Sequence, residues 1–166
     1  MILAVDAYYS KNSARVAGIG FERWSSQNPR HIYHSRVQGV DDYRPGEFYK
    51  RELPCILALI EEHGLTPDTI VIDGYVYLDG LSKPGLGKHL FDALNGEITI
   101  VGVAKNPLPG ISRHFEILRG GSVRPLFITA AGMELGQAKT CVLKMHGKDR
   151  IPTLLRQADQ ESRKPC

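Results

Sequence analysis

Two runs, "ILAVDAYY" at residues 2–9 and "IVIDGYVY" at residues 70–77, share one plan: an apolar stretch that closes on an aspartate, then a small residue, then a tyrosine. Each reads as a buried strand. What lies between them sets their relation. "ARVAGIGFERW" (14–24) continues with alternation and "HIYHSRV" (31–37) gives a third short strand, with the brief turn-like separators "SKNS" and "SQNP" between. That pattern predicts a three-strand antiparallel meander. Residues 46–63 read as a helix, with Gly64 as its stop signal and Pro67 beyond. The second run follows at once. A helix around "KHLFDAL" (88–94), a strand "ITIVGVAK" (98–105), a strand "RPLFITAA" (124–131) and helices in "LGQAKTCVLKMHG" (135–147) and "TLLRQADQES" (153–162) complete the chain, with loops at 80–87 and 109–121. This is an α/β order in which the strand after the first helix lies parallel to an earlier one by a right-handed crossover. If that earlier strand is the first, Asp6 and Asp73 come together at the carboxyl end of the sheet, where α/β proteins place their sites.

Composition bounds the rest. A chain of 166 residues that is 42% hydrophobic fills one core and reads as a single domain spanning 1–166. "MILAV" is too short for a signal peptide and no apolar run approaches membrane-spanning length, which points to a cytoplasmic protein with no membrane partner. Cys55, Cys141 and Cys166 have no paired spacing, so neither a disulfide framework nor a structural zinc site is indicated. The net charge is +3, with seven basic against three acidic residues from Lys139 onward. Such an end is either a solvated face or a phosphate-binding surface.

The carboxylates admit two readings. A strand-terminal aspartate commonly caps the next turn. Two of them side by side repel and raise each other's pKa, a cost that a divalent cation removes. Mg²⁺ takes a few carboxylates and keeps several waters, so a third acid would complete a site. Glu52 lies on the apolar stripe of the 46–63 helix, where a charge is expensive unless paired with Arg51 or Lys50 or bound to a metal. Pro54 cannot donate its backbone hydrogen bond, so the helix is expected to kink or begin again there, aiming Glu52 at the two aspartates.

The stretch "YRPGEFYKRELP" (43–54) resembles the Tyr-x-Pro-Gly … Arg-Glu-x-Pro element of the endonuclease V family, which nicks nucleic acid near deaminated adenine. The resemblance continues in order through "VIDG", "IVGVAK", "RPLFITAAG" and, near the end, "RQAD", from Asp6 to Asp159. It implies a ribonuclease H-like α/β fold, a mixed sheet with an antiparallel meander and parallel strands flanked by helices. It also implies a Mg²⁺-dependent endonuclease, with Mn²⁺ as a substitute, acting in repair or processing on DNA or RNA that contains a deaminated base. Asp6, Glu52 and Asp73 match the metal-binding acids and Lys105 the active-site lysine. Tyr43, with Pro45 and Gly46, matches the wedge beside the flipped base, and Gly74 closes the "VIDG" motif at the nucleic-acid side. The ring of a tyrosine can stack where a base has left. A monomer is expected.

The chain also departs from that pattern. The family's histidine after the second aspartate is absent from "DGYVYLDGLSKPG" (73–85), where simple spacing puts Asp79 and an insertion would instead put Lys83 before Pro84, and a second one is replaced by Met133 in "AAGMELG". Asp79 and Glu134 are possible additional metal ligands, with a helix cap the favoured reading of Glu134, and His89 and His114 are possible spatial substitutes for the histidines. The chain opens almost directly on its first strand, without the family's N-terminal helical segment. The alternative to a nuclease is a non-catalytic or weakly active nucleic-acid-binding module of the same fold.

Overall fold

The computed structural model describes residues 1–40, 47 and 49–165. Tyr43, Pro45, Gly46 and the start of the expected 46–63 helix therefore lie outside the described residues. The elements run β1 (Ile2–Ser10), β2 (Ser13–Phe21), β3 (His31–Gln38), α1 (Tyr49–His63), β4 (Thr69–Asp73), α2 (Leu86–Ala93), β5 (Thr99–Ala104), a 3-10 turn (Arg113–Phe115), β6 (Glu116–Ile117), β7 (Leu126–Ala131), α3 (Leu135–Lys144) and α4 (Thr153–Arg163). One seven-stranded sheet has the order β3-β2-β1-β4-β5-β7-β6. Strands β1, β2 and β3 form the expected antiparallel meander. β4 lies parallel to β1 and β5 parallel to β4, while β7 runs antiparallel to β5 and pairs with β6. The two-residue β6 sits inside the segment expected as a loop, too short to leave a periodic signal.

Alternation along the strands divides the core into two layers. Leu3 and Val5, with Ile70, Ile72 and Ile100, pack with Ile56 and Leu59 of α1 and Leu90 of α2. Ala4, Val71, Val101, Val103 and Ile128 face the other way, onto Ala138 and Val142 of α3 and Leu154 and Ala158 of α4. Glu52, Cys55, Ile56 and Leu59 are the buried residues of α1, spaced for one helical face. The expected restart at Pro54 does not occur, because α1 is one helix from Tyr49 to His63. Pro54 lies on the exposed side, and Lys50, whose carbonyl loses its helical partner there, is exposed as well.

Two local devices hold the loops. Gly102 in β5 sits so close to the chain after β4 that a Cβ would stand 2.5 Å from the Gly74 carbonyl oxygen and 2.7 Å from Thr129 Oγ1. Thr129 Oγ1 is already engaged, accepting from Val76 N at 2.8 Å. Gly102→Ala is expected to destabilise by about 2–3 kcal/mol through overpacking. Urea titration should show a lower midpoint at unchanged slope, and a midpoint equal to the parent's would contradict the packing. The second device is Arg119. It is 7% exposed, and its guanidinium donates to the carbonyls of Met145 (2.6 Å), Asp149 (2.8 Å), Arg150 (3.2 Å) and Gly147 (3.3 Å), fixing the α3–α4 connection.

Candidate active site

The register Val5↔Ile72 brings the next residues, Asp6 and Asp73, level on neighbouring parallel strands. Both follow the alternation of Ala4 and Val71, so both project on the α4 face. Lys105, one residue past β5, follows Val103 onto that face, and its Nζ donates to Asp73 Oδ2 at 3.2 Å. Gly74 turns the chain away at φ 151°, a region closed to most side chains. A cavity of about 20 Å³, room for about one water-sized body, is lined by Asp6, Asp73, Lys105 and, from the α4 side, Ile151, Leu155 and Ala158.

Glu52 comes from α1 on the opposite face of the sheet and is 4% exposed. Among the described residues it has no ion-pair partner: Lys50 pairs instead with Glu47 at 3.1 Å, and the Arg51 guanidinium lies 3.8 Å from the centre of the Tyr9 ring. Among the described residues neither Lys50 nor Arg51 forms an ion pair with Glu52. Burial, then Asp6 and Asp73, push Glu52 up to about 8, offset in part by Arg51. Burial and the charge of Asp73 lift Asp6 to about 7, against an opposing hydrogen bond from Ala7 N and the charge of Lys105. Tyr9 is raised by burial and by Glu52, and Tyr9 Oη and Arg51 Nε are buried without hydrogen-bond partners among the described residues.

Asp159 of α4 also raises Asp6 and accepts from Arg163 Nε at 3.0 Å. Sequence reasoning placed it only as the end of "RQAD". Apart from that motif the sequence carries no signal for it, because the packing of α4 on β1 is set by tertiary structure. Among the described residues no three His, Cys, Asp or Glu side chains are gathered into a ready-made cation cage. The acids approach one another from two faces of the sheet while repelling. Such an arrangement of buried, mutually destabilised carboxylates with few compensating donors fits a cation of high charge density.

The remaining candidates lie elsewhere. Glu134 is the N-cap residue of α3, three residues past Ala131, which pairs with Ile100 near the start of β5. Asp73 and Lys105 stand at the other end of those strands, so Glu134 cannot join the acids, and this expectation is corrected. Asp79 is exposed and closes a turn, its carboxylate accepting from the backbone of Leu81, Ser82 and Lys83, which holds its pKa well below the usual range. His89 is on α2, on the far face of the sheet from Asp6, and stacks on Tyr49 at 3.7 Å. His114 is exposed on the 3-10 turn. Beside Asp73 and Lys105 opens a larger cavity of about 860 Å³, lined by Gly74, Tyr75, Leu78, Leu108 and Tyr49, within the size range of small-molecule sites.

A mixed sheet with a leading meander, parallel strands delivering acids at their carboxyl ends and a last helix closing over them defines a ribonuclease H-like protein. A profile of the family described as Endonuclease V matches residues 1–129. The chain belongs to the Endonuclease V family. It is 34% identical to Endonuclease V of Streptomyces avermitilis over 145 residues, covering 74% of this chain and 61% of that one. The crystal structure of Endonuclease V from S. avermitilis superposes with a TM-score of 0.79 at 26% identity, covering 98% of this chain and 79% of that one. The same TM-score is reached at 19% identity, a likeness of fold, by Endonuclease V of Ciona intestinalis in complex with a 24mer DNA containing an inosine followed by a ribo-adenosine, covering 98% of this chain and 83% of that one. The chain spans about 61% of the length of the S. avermitilis curated relative. No helix among the described residues is long and apolar enough to cross a membrane.

Proposed function

We propose that this chain, working as one domain, is a divalent-metal-dependent endonuclease that hydrolyses a phosphodiester bond near a deaminated base, inosine above all, in DNA or RNA. The observation that carries the reading is the pair of buried carboxylates, Asp6 and Glu52, held in mutual repulsion beside the Asp73–Lys105 pair. Asp6, Glu52 and Asp73, with Asp159 from α4, would hold Mg²⁺, or Mn²⁺ in its place. Bound there, the cation supplies water activation and charge stabilisation at the phosphate.

The chain's own residues do the rest. Lys105 is half-exposed and reaches Asp73 through one contact, so its ammonium can turn to a phosphate oxygen without leaving the carboxylate unsolvated. Its place next to the 860 Å³ cavity puts that phosphate beside a pocket walled by Tyr75, Leu78 and Leu108, apolar surfaces on which a flipped base can stack. Gly74, lacking a side chain, leaves the mouth of that pocket open. Tyr43, Pro45 and Gly46 are assigned to the wedge on the strength of the motif.

The test is incubation of inosine-containing DNA and RNA oligonucleotides with Mg²⁺ or Mn²⁺. A single metal-dependent nick is expected, reduced about 10³-fold in Asp73→Asn. Absence of any metal-dependent product, or full nicking by Asp73→Asn, would overturn the proposal; binding without turnover is the outcome expected of a non-catalytic module.

A further inference from the structure

The three acids of the C-terminal end each take one of its seven basic residues. Arg156 pairs with Asp149, Arg163 with Asp159 and Lys164 with Glu161. The Arg156–Asp149 and Lys164–Glu161 pairs line the open groove that also holds His146 and Lys148. A different groove, about 500 Å³, shares Lys105, Asn106, Leu108 and Gly110 with the 860 Å³ cavity and continues past Arg113, Arg124 and Arg150, with Glu116 as its acid.

Arg113 and Arg124 are exposed, and neither side chain makes an ion pair or hydrogen bond among the described residues. Their backbones are nevertheless held. Arg113 opens the 3-10 turn, whose N-cap Ser112 Oγ accepts from His114 N at 3.1 Å and whose Phe115 is buried. Arg150 donates through Nε to the Arg124 carbonyl at 3.0 Å and through Nη2 to the carbonyls of Pro125 (2.7 Å) and Lys105. One guanidinium thus ties the segment presenting Arg124 to the segment presenting Lys105, and Arg119 holds Arg150's own loop. Burial and the neighbouring charge of Arg124 both hold Arg150 below its usual range. Exposed cations on an anchored backbone, lining one groove with Lys105, are an arrangement that a polyanion relieves.

We propose that this groove carries the phosphodiester backbone of the bound strand on the far side of the scissile bond from the base pocket, with Arg113 and Arg124 as its phosphate partners. The inference rests on the nuclease reading for the strand's placement and extends it to a defined track. Phosphate contacts of this kind position the strand without reading its sequence.

The experiment is equilibrium binding of a fluorescent single-stranded inosine oligonucleotide in EDTA, across a series of KCl concentrations. Arg113→Gln/Arg124→Gln is expected to lower affinity about tenfold at low salt and to reduce the slope of log K against log salt by about 1.4, two single-strand phosphate contacts. Lys148→Gln/Lys164→Gln, in the other groove, should keep the parent slope. Trimming the oligonucleotide to the scissile phosphate from one end, and not from the other, should erase the difference between parent and double variant. A parent-like slope in Arg113→Gln/Arg124→Gln, or an equal loss in the control, overturns the track while metal-dependent nicking by the parent still supports the nuclease. Failure of the parent to bind any oligonucleotide overturns both.

Discussion

Glu52→Gln is expected to cut metal-dependent nicking about 10³-fold while making the metal-free protein more stable at pH 8.5. The two effects have one cause. Glu52 is 4% exposed, faces Asp6 and Asp73, and has no ion-pair partner among the described residues. At pH 8.5 its ionised form is a buried, uncompensated charge, and the isosteric amide removes it. At pH 5.5 Glu52 is already neutral, so the thermal midpoints of parent and variant should nearly coincide. Differential scanning calorimetry of the metal-free proteins at both pH values checks this, with about 2–4 °C expected per kcal/mol for a chain of this size. A variant less stable than the parent at pH 8.5 would mean that the fold itself compensates the carboxylate, and the cation-binding role would fall with it.

The parent protein should itself lose stability as pH rises, the reverse of the usual carboxylate behaviour. Asp6 and Glu52 have folded-state values of about 7 and about 8, above their ordinary 3.8 and 4.5. Between about pH 4 and pH 8 the folded state therefore retains protons that the unfolded chain has released, and stability declines with pH across that window and levels off above it. Each group therefore destabilises the metal-free fold at pH 9 in a way that it does not at pH 4. Millimolar Mn²⁺ should recover much of this, raising the thermal midpoint far more at pH 8.5 than at pH 5.5 and releasing protons on binding at pH 7.5. An equal increment at the two pH values would place the ion elsewhere.

The backbone plan was legible because its signals are local and repeated. The matched runs ending at Asp6 and Asp73 each carry a buried-strand pattern, and a single crossover helix between them leaves little choice but parallel neighbours with level aspartates. Glu52 was legible as an anomaly, a charge at i with Cys55, Ile56 and Leu59 on the buried face of α1. Three features were not. Pro54 reads as a breaker, yet it falls on the exposed side early in α1 and leaves the helix whole, an outcome set by tertiary placement. Glu134 reads as a helix cap or a fourth carboxylate; the antiparallel run of β7 carries it to the opposite end of the strands, where it is the N-cap residue of α3. The C-terminal charge excess reads as either a solvated face or a phosphate-binding surface; side-chain geometry shows Arg156, Arg163 and Lys164 paired with Asp149, Asp159 and Glu161, whereas Arg113 and Arg124 have no ion-pair partner among the described residues.

The four carbonyls around Arg119 give ionic strength a selective reach. The guanidinium is buried and its hydrogen-bond acceptors are neutral dipoles, so mobile ions have little to screen. Concentrated salt can then strip a polyanion from the open cations while the connection between α3 and α4 stays closed, which makes adhesion adjustable and architecture constant under the same change of medium.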